Sequence, residues 1–173
     1  SCDNEDGPGK KQYSLVSTLA GSDVPGFVDG INGVAKFNHP CGIVVGPQGN
    51  VYVADHSNHS IRKVTPRGIV TTYAGTGQPG AANGHRLKAS FNHPYGLALD
   101  EEGNLYVGDV ANHRIRKIAV DGTVTTLAGK RKGFSDRKGE LAMFNHPYGV
   151  AVDQDKNVYV ADSYNNCIRK IAP

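Results

Sequence analysis

The apolar positions fall into short runs that return in a fixed order. Gly42 to Val45, Gly96 to Leu99 and Gly149 to Val152 lack polar alternation, which predicts strands buried on both faces. Val51 to Ala54, Leu105 to Gly108 and Val158 to Ala161 follow, closed by Asp55, Asp109 and Asp162. Next come Ile61 to Val64, Ile115 to Ile118 and Ile168 to Ile171, each with Arg-Lys at its centre. These read as outer strands whose basic stems lie over apolar surface with their heads in water. A fourth type, rich in Val and Thr and ended by Gly, is predicted at 16–21, 70–75 and 124–129.

The runs belong to one repeat. Phe37, Phe91 and Phe144 open its copies, 54 and 53 residues apart, and Asn-His-Pro follows each Phe. In the turn Asp100-Glu101-Glu102-Gly103-Asn104, Gly103 suits a positive φ; Lys156 stands there in the third copy, predicting a strained or different turn. Residues 1–15 are polar and predict a flexible N-terminal tail; residues 16–173 hold the three repeats. The inner three strands of each repeat lie within 41–64, 95–118 and 148–171. A four-stranded antiparallel sheet with two apolar faces must stack against others around an axis. The expected fold is therefore all-β, a β-propeller with three blades, half of a six-bladed ring.

Three submotifs carry a resemblance: Pro-x-Gly followed by an apolar run and Asp100 or Asp153, Gly-Asn-x-Tyr-Val-x-Asp, and Asn-His-x-Ile-Arg-Lys. In these the chain resembles the NHL-repeat family across Val16 to Ala172. Gly46 replaces the first Asp, and Asn166-Cys167 departs from the His-Ser and His-Arg of the other copies. The resemblance implies a propeller, usually six-bladed, whose members mostly bind proteins, RNA or other ligands. A minority are enzymes. The amidating-lyase branch uses histidines and metal on one propeller face, and its catalytic residues find no place on this chain.

The strand order begins with a lone outermost strand and stops after a third-position strand. Three wedges do not close a ring. Val16, Ser17, Thr18, Leu19, Ala20 and Gly21 are thus expected to pair with Ile168, Arg169, Lys170 and Ile171 of another chain. Alternatives are a homodimer of six blades, an open head-to-tail filament, and the missing remainder of a longer propeller. The favoured function is a non-enzymatic binding and assembly module.

Composition changes this little. The 173 residues include 22 Gly and 9 Pro, suiting many turns, and the net charge of +3 is mild. No apolar run approaches the roughly 20 residues of a membrane span. The chain does not open with Met, which reads as processing or as a piece of a longer chain. His39, His93 and His146 share one end of the ring and are metal candidates, against a turn role for Asn-His-Pro. No cofactor is expected. Asp55, Asp109 and Asp162 are read as fixing loops through Asx-type bonds. Asn38, Asn92 and Asn145 are read as capping backbone groups. The basic loop 130–138 is an alternative RNA site, weighed against a solvated loop because stacking aromatics are few. Asn58-His59-Ser60 fits a glycosylation acceptor, and Cys2 and Cys167 are a candidate disulfide; both belong to an extracellular setting.

Overall fold

The computed structural model describes residues 14–173. The first sheet contains β1 (Gly30–Ile31), β2 (Pro40–Val45), β3 (Val51–Asp55), β4 (Ser60–Val64) and β5 (Ile69–Ala74) in the order β1-β5-β4-β3-β2. The second repeats it with β6 (Gly84–His85), β7 (Pro94–Leu99), β8 (Leu105–Asp109), β9 (Arg114–Ile118) and β10 (Thr123–Ala128). The third has β11 (Pro147–Val152), β12 (Val158–Asp162) and β13 (Cys167–Ile171) alone. Neighbouring strands in all three sheets run antiparallel. The fold is an all-β propeller sector.

The Pro-x-Gly motif has a packing reason. A Cβ on Gly42 would sit 1.9 Å from the Tyr95 carbonyl oxygen, and one on Gly96 would sit 2.3 Å from that of Tyr148. The innermost strands of successive blades approach so closely there that only glycine fits. Gly149 has no further blade beside it and would meet only the Ala161 methyl, at 3.3 Å.

The core lies between blades. Ala54, Ile61 and Ala74 of the first pack against Phe91, Leu97, Leu105, Val107 and Ile118 of the second. Tyr106, Ile115 and Ala128 of the second pack against Phe144, Val158 and Val160 of the third. Burying each such aliphatic side chain contributes about 1.5–3 kcal/mol.

Two features differ from the sequence reading. The two-residue strands β1 and β6 add a fifth strand to two sheets; each comes from the loop before β2 or β7 and pairs back onto β5 or β10. Second, the central arginines do not reach water. Arg62 and Arg116 are fully buried and Arg169 nearly so, because each guanidinium has an aspartate and loop carbonyls waiting inside. The tight turn of the third blade takes the strained alternative: Lys156 has φ 62° where Gly103 has φ 88°.

Candidate functional site

The loops at one end of the sector are held by a repeated clamp. Arg62 donates to Asp55 at 2.7 Å and to the Lys36 and Val28 carbonyls at 2.9 Å. Asn58 donates from one amide nitrogen to Asp55 and to the Gly26 carbonyl, both at 2.8 Å. The other Asp55 oxygen accepts the Asn38 N–H at 2.7 Å. Arg116, Asp109 and Asn112 repeat this, as do Arg169, Asp162 and Asn165. Arg62 also lies over the Phe27 and Phe37 rings at 4.9 and 5.0 Å, and Arg169 over Phe134 and Phe144 at 4.8 and 5.0 Å. A buried ion pair of this kind fixes geometry more than it stabilises. It pins the long loop before each blade onto that blade's third strand. The pairing lies within a repeat.

The clamp settles two further expectations. Asn58 is buried and its amide nitrogen is committed twice, so the glycosylation acceptor is closed. Asn92 and Asn145 do not cap backbone with their side chains. Their carboxamide oxygens sit 2.9 Å from the Nδ1 atoms of His93 and His146, and it is their N–H groups that bond to aspartate.

The histidines line one end, each handing on to the next blade. His93 donates its backbone N–H to His59 Nδ1 at 3.2 Å, and His146 does the same to His113. The His59–His93 and His113–His146 rings meet edge-on at 4.5 and 4.8 Å. These four and His39 take left-handed backbone at φ 51–55° in tight turns. His39, His93 and His146 are therefore paired with neighbouring loops. Among the described residues no three His, Cys, Asp or Glu side chains come together to hold a metal ion. Burial holds His56, His59 and His113 below the usual imidazole range, and a neighbouring imidazole adds to this in each. Burial and then Lys132 do the same for His146. These four imidazoles are thus biased toward the neutral form.

The chemistry left open is at the ends of the sector. Ile61 and Ile115 are 0% exposed, whereas Ile168, at the same position of the third blade, is 73% exposed. At the opposite end Ile43 is 65% exposed where its counterpart Leu97 is 8% exposed. Among the described residues the outer edge of β13 carries no strand. Beside it lies a cavity of about 620 Å³ lined by Leu127, Ala128, Asp136, Gly139, Phe144 and Arg169 among others.

Residues 16–21 form no strand ladder, yet they lie where an outermost strand would. Gly21 donates to the Asn32 carbonyl at 3.0 Å, as Gly75 of the first blade does to Arg86 at 2.8 Å and Gly129 of the second to Gly139 at 3.0 Å. Ala20 packs on the first blade's core beside Phe37 and Val51. The segment is thus placed as the last strand of a blade that precedes the first. Cys2 lies outside the described residues, as does most of the predicted tail; Cys167 begins β13.

Residues 23–173 match the model of the SMP-30/Gluconolactonase/LRE-like region family. The chain belongs to that family. It is similar to NHL repeat-containing protein 2 of Homo sapiens, 41% identical over 95 residues, covering 53% of this chain and 13% of that protein. Protein SUPPRESSOR OF QUENCHING 1, chloroplastic, of Arabidopsis thaliana is 38% identical over 91 residues, covering 52% of this chain and 9% of it. Among solved structures, an auxiliary nutrient binding protein from Bacteroides ovatus aligns with TM-score 0.68 at 27% identity, covering 83% of this chain and 39% of that one. The chain spans a small part of the curated relatives it matches. This NHL-type SMP-30/gluconolactonase propeller therefore has kin described by an enzymatic activity and kin described by binding.

The sequence reading missed Asp29, Asn83 and Asp136. They fall eight residues before Phe37, Phe91 and Phe144, a spacing that could have found them, and the shared arginine contact gives them their role.

Proposed function

We propose that this chain is a non-enzymatic assembly module. Residues 16–21 complete the third blade of a second copy, and two copies close a ring of six blades. One observation carries the reading: among the described residues, segment 16–21 lies in the outermost position of a preceding blade, and the third blade has only three strands.

The fit is supported in detail. In the first blade Asp29, bonded to Arg62, accepts the Thr72 N–H and hydroxyl. In the second, Asn83, bonded to Arg116, accepts the Thr126 hydroxyl. In the third, Asp136 is bonded to Arg169 through one oxygen, and no described residue donates to the other. Thr18 holds the position of Thr72 and Thr126 in Val16-Ser17-Thr18-Leu19-Ala20-Gly21. Donation would add main-chain hydrogen bonds along β13 and cover the Ile168 and Ile43 faces against each other.

Light scattering on the purified chain tests this. A particle near twice 18.4 kDa is expected. A monodisperse 18.4 kDa species at micromolar concentration overturns it, and fibres replace the closed ring with an open one.

A further inference from the structure

The basic loop before the third blade forms one wall of a cleft that assembly leaves unexplained. Arg114 at the start of β9, Lys130 and Arg131 after β10, and Arg137 line a cavity of about 760 Å³ with Phe134 and Met143 on its apolar side. Glu140 is the only acid in the lining, and it meets Lys130 loosely at 3.7 Å with both groups largely in solvent. Arg114 makes no ion pair among the described residues, and its Nε is buried without a hydrogen-bond partner.

The repeats supply an internal control. In the first blade Ser60 stands in place of Arg114, and Thr76 and Gly77 in place of Lys130 and Arg131. The fold builds the same junction there without these charges, so the propeller does not require them. The Nε of Arg114 shares its lack of an acceptor with the clamp arginines Arg62 and Arg116, but here Lys130, Arg131 and Arg137 line the same cleft. Four cations against one acid suit an anion. The exposed Phe134 and Leu141 side chains beside it call for an apolar body attached to that anion.

We infer that this cleft binds an amphiphilic anion, a phosphate or carboxylate on an aryl or acyl body, with Arg114 as its central contact. The site is independent of strand donation. Arg137 also borders the groove beside β13, so it is left unchanged in the test.

Met143 is the single methionine of the chain and lines the cleft, so a ¹³C-methyl label gives one reporter signal. The labelled full chain is titrated with phenyl phosphate, benzoate, inorganic phosphate and benzyl alcohol. Saturable shifts with phenyl phosphate and benzoate are expected. Inorganic phosphate and benzyl alcohol should each bind at least about ten-fold more weakly, since each lacks one half of the recognition. Arg114→Ser and Arg131→Gly copy residues that the first blade already carries, so both should fold. Each should weaken phenyl phosphate binding about ten-fold. No saturable shift, equal response to benzyl alcohol, or unchanged affinity in both variants overturns the site. Equal response to inorganic phosphate overturns its apolar half.

Discussion

Thr72 gives both its N–H and its hydroxyl to the Asp29 carboxylate, each at 3.0 Å: the hydroxyl to the oxygen that also accepts from buried Arg62, the N–H to the other. The outermost strand of a blade is thus tied to the same loop that the clamp arginine holds. Thr18 and Asp136 have the parts for this bond on one chain, at opposite ends of the sector. Thr18→Val should weaken each junction between copies by about 2 kcal/mol, roughly thirty-fold in its equilibrium constant. Thr72→Val should instead lower unfolding stability and leave assembly unchanged. Sedimentation over a concentration series, set beside denaturant titration, separates the two.

Ile168→Lys should raise the monomer fraction with little loss of folded stability, because its side chain meets solvent in the single chain. The same change at Ile115, on the same strand position one blade earlier, buries a charge without a partner and should unfold the protein. Far-ultraviolet circular dichroism and light scattering read both outcomes.

Arg116 touches Asp109, Asn83, two carbonyls and the Phe91 ring. Arg116→Ala leaves Asp109 buried and uncompensated. A loss of about 3–5 kcal/mol is expected from urea unfolding, with the loop carrying His93 released as well.

Much of this was legible in the sequence. Short apolar runs, turn glycines and a period of 54 and 53 residues dictate antiparallel blades, since no other stacking covers both faces of such sheets. The arginine environment was not legible. Ile115-Arg116-Lys117-Ile118 sets two cations side by side, and the pattern does not say which of them a loop will close over. Asp29, Asn83 and Asp136 keep the 54 and 53 spacing, each eight residues before the repeat's Phe, but the change from Asp to Asn and the unlike loop residues around them conceal a shared role. Asn58 looked like an acceptor because three residues in a row carry no information about burial.

The imidazole end predicts a pH dependence. Burial and neighbouring imidazoles depress His56, His59 and His113 below 6.5 in the folded chain, and burial and Lys132 depress His146. The unfolded chain therefore binds more protons below that pH, and stability is lost as pH falls through 6.5. The melting temperature should drop between pH 7.5 and 5.5. His113→Asn, which copies the left-handed Asn166 of the third repeat, should make that slope shallower. An unchanged slope would remove His113, which faces His146, Lys132 and Asp162, from the account.

The central claim is that residues 16–19 become a strand on β13 of another copy. Amide hydrogen exchange of the assembled chain reads this directly. Slow exchange at Ser17, Thr18 and Leu19, lost on dilution to monomer and lost in Ile168→Lys, is the predicted result. Exchange at the free-peptide rate through 16–19, in a particle of twice the chain mass, would contradict it.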